Sequence, residues 1–261
     1  MSGGSNEDLP DHVAENQRHW DAMAGQWVGP GERAWASEPS WGLWQVPESE
    51  LALLPDDMTG MDAIELGCGT AYISAWMARR GATVTAVDTS AEQLATASRL
   101  MGEHELELTL VHANAETVPA PDASFDFAIN EYGAAIWCEP ETWLREAHRL
   151  LRPGGRLVFL ANHPMAITCA PLDGAPVGDR LARSYFDLHT IDWREVEIDP
   201  GGVNFALPIS GWVSLFNEIG FAIDDIHEPQ AADGAQTFDG FIEAEWASAW
   251  PSEIVFSLTR R

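Results

Sequence analysis

Asp62-Ala63-Ile64-Glu65-Leu66-Gly67-Cys68-Gly69-Thr70-Ala71 decides how this chain is read. Ala63, Ile64 and Leu66 form a short apolar run with the character of a buried strand. Gly67 and Gly69 let the backbone turn tightly and approach a ligand closely. From Thr70 to Arg80 the apolar residues Ile73, Trp76 and Met77 recur on one helical face, and Gly81 stands where a left-handed cap belongs. Strand, glycine turn and helix N-terminus in succession make a cradle of exposed amides and a positive dipole end. A Gly-x-Gly alone has low specificity. The dinucleotide fingerprint asks for a small residue three positions after Gly69, and Tyr72 stands there instead.

The 261 residues include 46% hydrophobic side chains and 12 tryptophans, which suits one sizeable α/β core. Fourteen cations, every one an arginine, stand against 41 acids, for a net charge of −27. Such a field repels nucleic-acid phosphates and anionic membranes, so neither is expected as a partner, while cationic ligands are attracted. No apolar run approaches the roughly 20 residues of a membrane span. Met1 to Pro10 is polar and acidic, unlike a signal peptide, and is expected to be a disordered tail; the expected location is the cytoplasm. Cys68, Cys138 and Cys169 are odd in number and lack zinc spacing, so reduced thiols and no metal site are expected. Nothing in the pattern sets the oligomeric state.

Outward from the glycine turn, a helix is expected from Asp11 to about Val28, with Trp20, Met23 and Trp27 on one face. A loop rich in Gly, Pro and Trp follows to Pro47, then a short helix from Glu48 to Leu54. Five tryptophans fall between positions 20 and 44, a concentration suited to a lid whose aromatic faces cover a cation. Thr83 to Asp88 reads as a second buried strand ending in an acid. Asp88 lies 19 positions after Gly69, near the offset at which a carboxylate takes ribose hydroxyls. Ser90-Ala91-Glu92-Gln93 has capping-box form and starts a helix ending at Gly102. Leu106 to His112 is the third strand, running into Asn114. Phe125 to Asn130 is the fourth, Leu157 to Leu160 the fifth, Phe221 to His227 the sixth and Ile254 to Thr259 the seventh. Pro140 opens one helix, and another spans about Ile209 to Ile219. Residues 164–208 break the βα rhythm, with a strand or hairpin around Val196 to Phe205, and Phe238, Phe241, Trp246 and Trp250 mark a later acidic loop.

Glu65-Leu66-Gly67-Cys68-Gly69-Thr70 resembles the first motif of the class I S-adenosylmethionine-dependent methyltransferases. Further family-like segments follow in order: Asp88, Asn114-Ala115-Glu116, Pro121 to Asp126 and Leu151-Arg152-Pro153-Gly154-Gly155-Arg156-Leu157. The resemblance is close over about residues 60–161 and topological over 209–259. It implies an α/β, Rossmann-like doubly wound seven-stranded sheet, mostly parallel, with an antiparallel terminal strand between the fifth and sixth. Residues 1–60 would be a tail and Trp-rich helical lid. Residues 61–261 would be the methyltransferase domain, with substrate-capping insertions at 164–208 and 228–252.

The implied cofactor is S-adenosyl-L-methionine, leaving S-adenosyl-L-homocysteine as product. Its expected contacts are Glu65, Gly67, Cys68, Gly69 and Thr70 at the turn, with Asp88, Thr89 and Gln93 at the ribose. Asn114, standing where relatives carry an acid, would meet adenine with Ala115 and Glu116. Asn130, Trp41 and Trp44 complete the set. Glu131, Tyr132 and His163 are the catalytic candidates, as acceptor orienter or base. The acceptor is expected to be a small, partly apolar molecule methylated at O, N or C, and Arg180, Arg183 and Arg194 could meet an acidic one. The alternatives are a nicotinamide oxidoreductase, a non-catalytic binder of the same cofactor, and a protein methyltransferase.

Overall fold

The structure, a computed structural model, describes residues 9–198, 200–237 and 240–261. Residues 1–8 of the expected tail, and Phe238, lie outside the described residues. In chain order the elements are α1 (Asp11–Ala36), β1 (Ser40–Trp41), β2 (Val46–Pro47), α2 (Glu48–Leu51), β3 (Asp62–Leu66), α3 (Tyr72–Arg79), β4 (Thr83–Asp88), α4 (Ala91–Glu103), β5 (Thr109–His112) and β6 (Phe125–Glu131). There follow α5 (Gly133–Trp137), α6 (Pro140–Leu150), β7 (Leu151–Asn162), α7 (Pro164–Cys169), β8 (Thr190–Asp192), β9 (Val203–Phe205), α8 (Ile209–Ile219), β10 (Phe221–His227), α9 (Ala244–Ala249) and β11 (Glu253–Arg260).

Seven strands form one sheet in the order β10-β11-β7-β6-β3-β4-β5. The pairs from β7 to β5 are parallel, and β11 runs antiparallel to both β7 and β10. This is the doubly wound sheet with an inserted reversed strand that the motifs imply. Alternation along the strands sorts the two faces. Ile64, Ala128, Leu157, Phe159, Ile254 and Phe256 pack into one cluster with Trp143 and Leu144 of α6 and Trp212 and Phe216 of α8. Their neighbours in sequence Ala63, Phe127, Val158 and Val255 pack on the other face with Ile73, Trp76 and Met77 of α3. Glu65, Glu131 and Glu253 share the parity of that second set, and so project from the α3 face.

Several boundaries differ from expectation, each for a tertiary reason. α1 does not stop near Val28 but continues through Gly29-Pro30-Gly31 to Ala36. A side chain at Gly31 would lie 2.5 Å from the Thr70 hydroxyl, and Trp35 Nε1 donates to the Thr70 carbonyl at 2.8 Å. Packing on the glycine turn thus overrides the poor local propensity. α2 ends at Leu51, where Ala52 turns left-handed at φ 49°, and α4 runs past Gly102 to Glu103. β7 begins at Leu151, with Phe125 facing Leu151 and Phe127 facing Arg156, so Pro153-Gly154-Gly155 forms a bulge within the strand. The insertion hairpin pairs Thr190 with Phe205 and Asp192 with Val203.

Phe159 is fully buried, with Trp143, Trp212, Phe216 and Phe256 each within 6 Å of it, ring centroid to ring centroid. Phe159→Ala is expected to lower the unfolding free energy by about 3–5 kcal/mol, read from urea denaturation; a loss below about 1 kcal/mol would show that this cluster does not hold the sheet to its helices.

Candidate functional site

The carboxyl ends of β3, β4 and β6 lie together, where open α/β sheets bind ligands. Gly67 and Cys68 donate their amides to the Val87 carbonyl at 2.8 and 2.9 Å, which ties the turn to β4. Gly67 (φ 80°) and Gly69 (φ 52°) are both left-handed, but their surroundings differ. A Cβ on Gly67 would strike the backbone of Gly133 and Ala134 at 2.8 Å, whereas one on Gly69 would meet nothing within 4 Å. The close approach at Gly67 is therefore to the chain itself, and the open side of the turn is at Gly69.

Asp88 organises the next segment. One carboxylate oxygen accepts from Gly69 N at 2.7 Å and the other from Ser90 N at 2.8 Å, and each oxygen keeps a lone pair for a ligand hydroxyl. Burial pushes its carboxyl up, opposed by those two amides. Ser90 caps α4 through the Gln93 amide, and the buried Gln93 Oε1 has no partner. The Thr89 carbonyl accepts from Gln17 of α1 and faces the His112 ring. Asn114 Oδ1 accepts from Glu116 N at 3.0 Å, a local Asx arrangement, and Ala115 is buried in the core beside it. Glu116 faces His12 and accepts from Glu139 N, both at 2.7 Å; its carboxylate joins α1 to α6. Asn130 donates to the Leu66 carbonyl and accepts from Ala135 N, so its amide locks the end of β6 to β3.

The tryptophans and the histidine have other partners than expected. Trp41 packs edge-on against Trp76 and donates to Glu48; it belongs to the α3-side core. Trp44 donates to Ser252 Oγ at 2.7 Å and packs with Ile167, Trp193 and Trp246 of the two insertions. Trp20 and Trp27 of α1 instead meet Trp137 and each other. His163 caps α7: its Nδ1 accepts from Met165 N at 3.0 Å, which places the proton on Nε2, 2.9 Å from Glu228. Burial lowers the ring's pKa despite Glu228. With both nitrogens engaged, it has no free lone pair for a substrate proton. Arg194 is paired with Asp192 and Asp11 on the surface and Arg180 is exposed. Arg183 alone enters the insertion cluster, 5.0 Å over the Trp193 ring.

The structure gathers a set that the sequence left scattered. Glu65 accepts from Ser74 N at 2.8 Å and from its hydroxyl at 2.5 Å. Glu131 accepts from Tyr72 OH and from Gly42 N at 2.6 Å. Glu253 accepts from Tyr132 OH and from Leu43 N at 2.7 Å. Burial pushes Glu65 up to about 8, Glu253 up to about 7, and Glu131 upward as well. Among the described residues no arginine or histidine pairs with any of the three. Tyr132, left-handed at φ 58°, packs against the clusters of both sheet faces and that of the insertions. Gly42, Leu43 and Glu253 were not singled out from the sequence, and Tyr72 was noted only for breaking the dinucleotide fingerprint. The readable signal for Glu253 was an acid opening an otherwise apolar strand.

Known proteins resemble this chain in sequence and in fold. Residues 64–159 match a family described as a methyltransferase domain. The chain is 38% identical over 118 residues to a demethylmenaquinone methyltransferase of Clavibacter sepedonicus, covering 45% of this chain and 46% of that protein. It is 31% identical over 137 residues to a ubiquinone biosynthesis O-methyltransferase of Caulobacter sp. (strain K31), covering 52% and 53%. The chain thus spans about half the length of the curated relatives it matches. An S-adenosylmethionine-dependent methyltransferase from Mesorhizobium loti shares the fold, with a TM-score of 0.63 and 23% identity over 81% of this chain and 96% of that one. No helix among the described residues is long and apolar enough to cross a membrane.

Because Glu65 and Glu253 titrate near 8 and 7 instead of the ordinary 4.5, the folded state holds their protons more tightly than the unfolded one. That contribution is complete below about pH 4.5 and is lost as pH rises through 7 and 8. The thermal midpoint of the ligand-free protein should fall between about pH 5 and pH 8.5, less steeply in Glu253→Gln. Parallel calorimetric curves for the two proteins would show that Glu253 does not titrate in this range.

Proposed function

We propose, on the premise that residues 64–159 match a methyltransferase domain, that this chain uses S-adenosylmethionine to transfer a methyl group to a small-molecule acceptor at the carboxyl edge of its sheet. The observation that carries the reading is the Gly69–Asp88 contact at 2.7 Å, beside a turn that is open at Gly69. The residues present fit the cofactor. Gly67 to Thr70 offers a bend at a helix N-terminus that is open at Gly69, Asp88 has lone pairs for vicinal hydroxyls, and Gln93 has a buried oxygen with no partner among the described residues.

When bound, S-adenosylmethionine supplies a methyl carbon already activated by its sulfonium. The protein's part is position and desolvation, worth up to about 7–11 kcal/mol in favourable intramolecular systems. Asp88, Thr89 and Gln93 would hold the ribose, Asn114 and Ala115 the adenine edge, and the bend with Glu65 the amino-acid portion. Glu116 and Asn130 shape the site through the backbone they lock, and Trp41 and Trp44 support it from the two neighbouring clusters. Residues 9–60 act as a lid in this reading. α1 crosses the site, with Gln17 on Thr89, Asp21 on Ser90 and Trp35 on Thr70. Leu43 and Trp44 join both insertions in one apolar cap over Tyr132.

Asp88→Ala should weaken S-adenosylhomocysteine binding by about 1.5–3 kcal/mol, roughly ten- to a hundredfold, in isothermal calorimetry. Unchanged affinity in a folded variant would take Asp88 out of the site. Cofactor should also slow limited proteolysis within residues 11–47, and equal cleavage with and without it would retire the lid.

A further inference from the structure

Glu253 belongs to none of the shared motifs, yet the fold delivers it to the end of β6. It is fully buried. Its Oε1 holds Leu43 N and Tyr132 OH, while its Oε2 is buried without a hydrogen-bond partner among the described residues. The carboxylate lies so close to Gly42 that a Cβ there would come within 2.2 Å of Oε1 and 2.6 Å of Oε2. Tyr132 donates to Glu253, and the next residue, Gly133, rests on Gly67. One step of the chain therefore separates this carboxylate from the glycine turn.

We infer that Glu253, with Glu131 beside Tyr72, receives the nitrogen of a primary or secondary amine carried on an apolar body, and that the methyl acceptor is that amine. The inference rests on the methyl-transfer reading above and narrows it. Buried carboxyls must hold a proton or face a counter-charge, and here no described side chain supplies the charge. A phenolate or carboxylate acceptor would add another anion to the cluster. An ammonium brings the missing positive charge, and its product remains positive, so the cluster can hold both substrate and product once Glu253 has released its proton. The apolar body would meet Leu43, Trp44, Trp193 and Trp246.

In the step itself, R–NH₃⁺ gives one proton to Glu253 Oε2, leaving R–NH₂ and a neutral carboxylic acid. The nitrogen lone pair then forms the N–CH₃ bond as the C–S bond breaks, with the bonding electrons retained by sulfur. The products are R–NH₂⁺–CH₃ and an uncharged thioether, and Glu253 returns its proton to solvent. A carboxyl poised near neutrality suits this exchange.

The test uses the full chain loaded with S-adenosylhomocysteine, titrated in a calorimeter with phenethylamine, N-methylphenethylamine and the isostere 2-phenylethanol. Tritiated methyl transfer is followed in parallel from S-adenosylmethionine to the same compounds and to catechol. The amines should bind about tenfold or more tightly than the alcohol and accept methyl. Glu253→Gln should lose that amine preference, and about 10²–10⁴-fold in kcat, with unchanged S-adenosylhomocysteine affinity. Because Tyr132 OH lowers the Glu253 pKa, Tyr132→Phe should move the acid limb of kcat to higher pH; this arm stands alone if Glu253→Gln does not fold.

Methylation of catechol but not the amines, equal amine binding by wild type and Glu253→Gln, or no binding of either amine would overturn the proposal. So would loss of S-adenosylhomocysteine affinity in a folded Glu253→Gln, which would assign the carboxylate to the cofactor. Failure of the wild type to bind S-adenosylhomocysteine would instead defeat the parent reading, and this inference with it.

Discussion

Two glycines without side chains let the site exist in this form. The Gly67 carbonyl oxygen lies 2.3 Å from where a Cβ of Gly133 would be, and the Gly133 backbone lies equally in the way of a side chain on Gly67. Backbone meets backbone, so the turn after β3 and the start of α5 interlock with no intervening atoms. Asn130 fastens the same junction by donating to Leu66 and accepting from Ala135. Tyr132 is then forced into its left-handed conformation, which costs a non-glycine residue about 1–3 kcal/mol and aims its hydroxyl at Glu253. The turn and the acidic cluster are held in register by this contact.

α1 depends on that junction. It bridges Asn16 to the backbone of Trp137 and Val203, Gln17 to Thr89, Asp21 to Ser90, and Trp35 to Thr70. Nearly all of these partners are backbone groups at strand ends or loops, whose orphan donors and acceptors would otherwise face water or a ligand. A helix anchored by polar contacts to loops can exchange them for water contacts at low net cost, since each is worth only about 0.5–1.5 kcal/mol. Its exposed Glu32–Arg99 ion pair is similarly modest. This distinguishes α1 from α6 and α8, which are fixed by the Trp143–Phe159–Trp212 cluster.

The sheet and its order were readable because strand parity, glycine turns and helix caps are local signals, and the motif order tied them together. Ser90, Pro140 and Gly220 occupy the cap positions that their chemistry predicts. The continuation of α1 through Gly29-Pro30-Gly31 was hidden because its cause, the fit of Gly31 on Thr70, is a contact between distant segments. The same holds for Trp41 and Trp44. Composition marks them as aromatic, but only the fold separates a ring buried on Trp76 from one donating to Ser252. His163 looked free in the sequence because its occupants, Met165 N and Glu228, are set by the local turn and by a residue after β10. The place of Asp88 beside the glycine turn was readable from spacing, since the turn and the strand that carry it form one continuous unit.

The acidic cluster shows why acceptor identity escapes motif reading. Leu43 and Glu253 lie 210 positions apart, and both fall outside the matched domain at 64–159. They meet because β11 inserts in reverse between β7 and β10, so that its first residue, not its last, stands at the carboxyl edge of the parallel strands. A parallel seventh strand would place Arg260 at that edge and send Glu253 to the opposite one. Reversal of one strand thus puts an acid at the carboxyl edge of the parallel strands. Three carboxyls then converge on one face with no cation among the described residues to balance them, and the chain's lack of lysine removes the commonest mobile counter-ion. The imbalance is tolerable while the acids hold protons, and burial, by raising their pKa values, keeps those protons in place.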